Sequence, residues 1–213
     1  MDKIKKQAFF STIVLLTFFV GIALSVLVYS LAKDGNEKAK DKEFISLVKR
    51  THSSIKRELD FNFQVLNSLK YFYNSSQKVT RDEFKSFTKK SLSTYKSIQA
   101  LEWIPLVKDE FRNDYEKLAN SELKVEFSFK EKSTNGQMIK AKKRDHYYPV
   151  YFLEPLEGNI KALGFDLGSN KIRLDSINKS RLNAIDTATA KITLVQEKAK
   201  QSGILVFVPV WEN

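Results

Sequence analysis

Residues 8–32 carry no charged side chain and are apolar apart from scattered Ser, Thr and Tyr. As a helix this run would reach ~37 Å against ~30 Å of hydrocarbon, so the pattern predicts a span that crosses a membrane with some tilt. A cleavable secretory signal has a shorter apolar region and ends in a small-residue cleavage site. The outer end here, Val28-Tyr29-Ser30-Leu31-Ala32, matches such a site poorly, so the span reads as a retained anchor. Residues 36–75 then predict one long helix. Ile45, Val48, His52, Ile55, Leu59, Asn62, Leu66, Leu69 and Tyr73 recur at alternating steps of three and four, which places them on one face. His52 and Asn62 interrupt this seam, so it suits either a partner helix or the chain's own domain.

Asn74-Ser75-Ser76-Gln77 breaks the periodicity. Thr80 with Glu83 three residues later has the form of a capping box, and a second helix follows with Phe84, Phe87, Leu92 and Tyr95 as its apolar side. The texture then changes. Residues 98–107 are apolar and include Trp103, and 125–129 alternate as a half-buried strand does. Residues 147–153 form a continuous apolar and aromatic run that predicts a buried strand, and 159–167 supply another. Residues 173–190 read as helix, with Leu174, Ile177, Leu182 and Ile185 apolar. Two further strands are expected at 192–196 and 204–211. Helices followed by strands, one helix and more strands predict an α+β body with a largely antiparallel sheet. Three segments result: a tail and membrane anchor at 1–33, a stalk helix at 34–78 and a sheet-bearing body at 79–213. Because the last strand is followed at once by the chain end, a fragment of a longer protein is expected.

The formal net charge of +11 raises nucleic acid as a partner. The basic residues are interleaved with acids, as between Lys38 and Lys42 and between Lys108 and Lys117, and no nucleic-acid motif is present. A solvated basic surface is the plainer reading, with attraction to an anionic membrane surface next. Lys3, Lys5 and Lys6 before the span favour a cytoplasmic tail and a body outside. Lys33, Lys38, Lys40 and Lys42 on the other flank weaken that charge argument. The chain has no Cys, which removes disulfides, thiolate catalysis and Cys metal sites.

No nucleophile–base pair or metal spacing emerges. His52 and His146 are far apart, Gly164-Phe165-Asp166-Leu167-Gly168 lacks the phosphate-loop pattern, and Asp145, His146 and Glu154 have no H-x-x-x-H or calcium-loop context. Neither enzyme activity, metal nor cofactor is expected of this chain. Four stretches stand out instead: Ile98-Gln99-Ala100-Leu101-Glu102-Trp103-Ile104-Pro105, Arg144-Asp145-His146-Tyr147-Tyr148-Pro149-Val150, Ala162-Leu163-Gly164-Phe165-Asp166-Leu167 and Ile192-Thr193-Leu194-Val195-Gln196-Glu197. In this order, over roughly residues 79–211, they resemble the bacterial branch of the CHASE family, extracytoplasmic sensors placed before histidine kinases and nucleotide cyclases.

The resemblance implies a long helix carrying two PAS-like lobes, ligand in the distal one, with the second lobe truncated here. It implies that Asp145, in Asp145-His146-Tyr147-Tyr148-Pro149-Val150-Tyr151-Phe152, takes the place of an Asp that binds an adenine-like ligand in the related plant cytokinin receptors. It implies by position that Thr193 lines the pocket. A partly buried carboxylate suits the N–H donors of a heterocycle or amine, and Trp103, Tyr147, Tyr151 and Phe165 are candidate walls for a flat ligand. Each of these also reads as core, and Asp145 as an ion-pair partner of Arg144 or a Lys. Tyr148 before the Pro, and Leu194-Val195-Gln196-Glu197 after the Thr, depart from the plant pattern, so cytokinin itself does not follow. The expected role is a small-molecule sensor in the inner membrane, periplasmic in its body, acting as a homodimer on a histidine kinase or diguanylate cyclase. A membrane-anchored partner-binding or structural module is the alternative.

Overall fold

The computed structural model describes residues 2–195 and 202–211; within them, nothing is said of the side chains at 2–8, 10–12, 34–36 and 38. The last two positions of the fourth motif, Gln196 and Glu197, lie outside the described residues. The architecture is α+β, as expected. Helix α1 runs Asp2–Asn74, so the span and the stalk are one helix. The chain divides into two compact units, Met1–Arg57 and Glu58–Asn213.

In the first unit, Ile13–Lys33 is long and apolar enough to cross a membrane, with none of it buried. Its exposed side chains are largely apolar, as at Val14, Leu16, Phe18 and Phe19, and the hydroxyls of Thr17, Ser25 and Ser30 donate back to the helix's own carbonyls.

In the second unit, Val65 and Leu69 sit one turn apart on α1 and are both buried. Phe72 stacks on Phe87 of α2 (Arg81–Thr94) with ring centres 4.4 Å apart. Helix α2 begins where the sequence places it. Thr80 accepts from the Glu83 N–H, and the Glu83 carboxylate accepts from the Thr80 N–H at 2.8 Å. These two bonds satisfy donors that a helix start leaves orphaned.

The strands are short and pair antiparallel in twos. β1 (Leu101–Trp103) and β2 (Val107–Lys108) precede helix α3 (Arg112–Glu122), which is followed by the hairpin β3 (Lys130–Lys132) and β4 (Met138–Lys140). β5 (His146–Tyr147) pairs with β2 and β6 (Phe152–Glu154) with β1. After α4 (Lys171–Asn183) come β7 (Thr187–Ala188), β8 (Ile192–Thr193), β9 (Ser202–Gly203) and β10 (Val206–Phe207), joined as β7 with β10 and β8 with β9.

Five differences from the sequence expectation have local causes. Helix α3 was not expected, because its charged surface hides a narrow apolar side on which only Ala119 is a buried apolar residue. The strand expected at 125–129 forms later, at Lys130–Lys132. Between them, Asn120 takes over the pairing of Phe127, accepting its N–H and donating to its carbonyl, both at 2.8 Å. The run 147–153 is split into β5 and β6 by Pro149, which has no N–H to give a ladder. The run 159–167 becomes a 3-10 turn, Ile160–Ala162, ending at Gly164. Gly164 has φ +77, and an added Cβ would collide with the Ser128 carbonyl, so only glycine fits. Helix α4 ends early because Ala184 adopts φ 55, the left-handed region that closes a helix.

Candidate functional site

The polar interior of the body is mostly engaged with itself. Asp166 is fully buried and accepts from the N–H groups of Tyr148 (2.8 Å) and Gly168 (3.0 Å) and from Arg144 (2.7 Å). Burial pushes its carboxyl up, and these donors pull it back. Arg144 also pairs with Glu131. Buried Arg112 donates to Glu116 (3.0 Å) and to the Ala141 carbonyl (2.9 Å). The Tyr147 hydroxyl donates to Asp109 (2.8 Å) and accepts from Arg112 (3.3 Å) and the Arg144 N–H (3.2 Å). A network with its members satisfied holds a core in one arrangement and leaves little to offer a ligand.

A different region is open. A cleft of about 1220 Å³ is lined by the end of α1, by β1, α3 and α4, and by the β10 segment. Trp103 stands in it, stacked on Tyr73 of the last turn of α1 with centroids 3.8 Å apart and planes at 16°. Tyr151 stands in it too, edge-on to Tyr115 at 5.1 Å. Arg81 stiffens this wall. It donates to the Tyr151 carbonyl at 2.8 Å, pairs with Glu122 at 3.2 Å and lies 4.7 Å from the centre of the Phe152 ring. Burial raises the hydroxyls of Tyr73, Tyr148 and Tyr151, the last to about 12, so all three are neutral phenols at physiological pH.

A second, small cavity of about 20 Å³ lies between Glu102, Phe165, Arg173, Val195 and Leu205. It has room for about one water. Burial pushes the Glu102 carboxyl up to about 7, with Arg173 opposing the rise. The Arg173 guanidinium lies 5.3 Å from the Phe165 ring centre and donates to the Thr193 carbonyl at 3.1 Å.

The six residues singled out from the sequence therefore separate. Trp103 and Tyr151 share the large cleft. Phe165 lines the small cavity, and Thr193 is exposed, meeting that cavity's Arg173 only through its carbonyl. Tyr147 is buried in the satisfied network. Asp145 is exposed and does not line the large cleft; its carbonyl accepts the Asp109 N–H at 3.0 Å, while its carboxylate has no partner among the described residues. Sequence reasoning passed over Tyr73, Tyr115, Tyr148 and Arg181 as cleft residues. Tyr148 was already inside a quoted motif, but its side of the strand depends on the break at Pro149. Among the described residues no group of three or more His, Asp or Glu side chains is placed to hold a metal ion.

Comparison with known proteins agrees with this body. The CHASE domain family model matches residues 77–213. The hybrid signal transduction histidine kinase A of Dictyostelium discoideum is 21% identical over 169 residues, covering 79% of this chain and 8% of that protein. The chain thus spans under a tenth of the length of this curated relative.

Proposed function

Because the chain belongs to the CHASE family, whose domains are sensor domains of signal-transduction kinases, we propose that it is the membrane-anchored, ligand-binding part of a receptor. In this reading Ile13–Lys33 is the anchor, the body lies outside the cytoplasm, and a cytoplasmic output domain such as a histidine kinase or diguanylate cyclase performs the chemistry. The observation that carries it is the stacking of Trp103 on Tyr73 inside the cleft. A flat ligand that competes for the Trp103 face acts directly on the last turn of α1. A binding event is thereby tied to the end of α1, which is the differential contact a signal requires. Full-length chain in lipid nanodiscs, screened with small molecules by melting and by Trp fluorescence, tests this. A ligand that quenches Trp103 and loses affinity in Trp103→Ala supports the cleft; one whose affinity survives that change removes it.

A second reading rests on Asp145. Its carboxylate is free, and Arg144, the obvious structural partner, is occupied by Asp166 and Glu131. An amine-bearing or adenine-like ligand could then be held at this exposed edge. Asp145→Asn should in that case lower affinity by about 1.5–3 kcal/mol without changing the melting temperature. Unchanged affinity takes Asp145 out of the site.

The exposed part of the α1 seam, including Ile45, Val48 and Ile55, supports a homodimer in which two copies pair along this helix.

A further inference from the structure

One phenol–guanidinium pair, Tyr148 with Arg181, lines the cleft with unused donors, and a second, Tyr73 with Arg81, has its phenol on the cleft. Tyr148 is 3% exposed and its hydroxyl makes no hydrogen bond of normal geometry, although it lines the cleft. The Nε of Arg181, also a lining residue, is buried without a partner, and the guanidinium is close enough to Tyr148 to oppose the rise that burial causes there. The Tyr73 hydroxyl and the Nη2 of Arg81 repeat the situation, again close enough for the cation to act on the phenol. Guanidinium nitrogens only donate, and a neutral phenol has its proton to give. Buried donors left without acceptors are unusual, because each has lost its water for nothing in return. The two acids among the lining residues do not fill this gap: Glu122 is paired with Arg81, and Asp114 is exposed.

We propose that the cleft takes a small organic carboxylate, its anionic group accepting from Arg181 and Tyr148 and its apolar body lying against Trp103 and Tyr151. This rests on the reading of the cleft as the ligand site and adds the charge of the ligand. A carboxylate brings two oxygens with several lone pairs, which matches a fork-shaped guanidinium beside a hydroxyl donor. The aromatic walls favour a flat or short aliphatic body over a highly polar one.

The test uses the full chain in nanodiscs and three matched pairs of probes: benzoate with benzamide, phenylacetate with phenylacetamide, and hexanoate with hexanamide. Each amide keeps the shape and removes the charge. Titration calorimetry should show at least one acid binding about tenfold or more tighter than its amide. Arg181→Gln should abolish that preference and Tyr148→Phe should reduce it, with circular dichroism confirming that both variants fold. An amide that binds as tightly as its acid overturns the inference while leaving the cleft as ligand site. So does a folded Arg181→Gln chain that keeps the acid preference. Trp103→Ala separates the two claims: acid binding that persists unchanged in it overturns the cleft reading itself. Failure of all six probes to bind the folded wild-type chain overturns the carboxylate assignment.

Discussion

Two stretches of α1 carry the same spacing of apolar residues and meet opposite fates. Ile45, Ile55 and Leu59 are 52%, 58% and 45% exposed, whereas Val65 and Leu69, further along the helix, are 6% and 7% exposed. The later stretch is covered by its own domain, with Phe72 against Phe87 and Tyr73 against Trp103. The earlier one has no such cover among the described residues. Periodicity states that a helix has a face to bury, and says nothing of what buries it. Lys49, Arg50, Lys56 and Arg57, set between the seam residues of the earlier stretch, leave that face narrow enough to remain exposed.

The largest effect expected from breaking this contrast comes from Leu69→Ala. It should cost about 2–5 kcal/mol, because a buried Leu leaves a cavity that a packed interior fills only partly. Urea denaturation followed by Trp fluorescence measures it, and a loss under 1 kcal/mol would mean that the later stretch of α1 is not part of the core.

The next effect separates the body from the helix by pH. The Glu102 carboxyl titrates at about 7 in the fold against a reference of 4.5. The folded chain therefore holds more protons across that interval. Glu102's own contribution to stability is fully present below about 4.5 and is lost as pH rises through about 7, by up to roughly 3 kcal/mol. Glu102→Gln should flatten the profile over this window. Melting curves at half-unit pH steps decide the matter, and a variant that keeps the slope rules Glu102 out as its source.

Thr80→Ala removes one side of the capping box that starts α2 and should cost about 1 kcal/mol. Thr80→Ser should restore most of it, which distinguishes the cap from general packing.

Smallest in the body, and most informative about the helix, is Ile55→Asp. Folding of the sheet-bearing unit should change by less than about 0.5 kcal/mol, since the side chain is exposed. Self-association of the anchored chain should nonetheless weaken, read as reduced cross-linking between cysteines introduced along the helix. Unchanged cross-linking would count against pairing through this face.

Several elements could be read directly because their signals are local. The membrane-length run needs only apolar residues in succession, and the Thr80–Glu83 box needs two side chains three residues apart. The antiparallel α+β body follows from the alternation of patterns and the turn residues between them. The candidate site was only half legible. Trp103 and Tyr151 were recognised as aromatic walls and do share the cleft, but Tyr147 was recognised on the same grounds and lies in the polar network instead. Nothing local distinguishes Tyr147 from Tyr148, because both are buried aromatics in one short motif.

That distinction belongs to long-range contacts. Tyr147 is drawn inward by Asp109, Arg112 and Arg144, residues brought to it by the pairing of β2 with β5 and by the packing of α3. Tyr148, one residue later and past the end of β5, turns toward Arg181 of α4. The amino-acid order carried the elements, the membrane-length apolar run and the family, since those depend on neighbours in the chain. The tertiary structure chose which aromatic lines the cleft, which carboxylate is tied down and which stretch of α1 is covered. Those outcomes depend on groups up to seventy residues apart, as with Arg81 and Tyr151, and no local pattern encodes them.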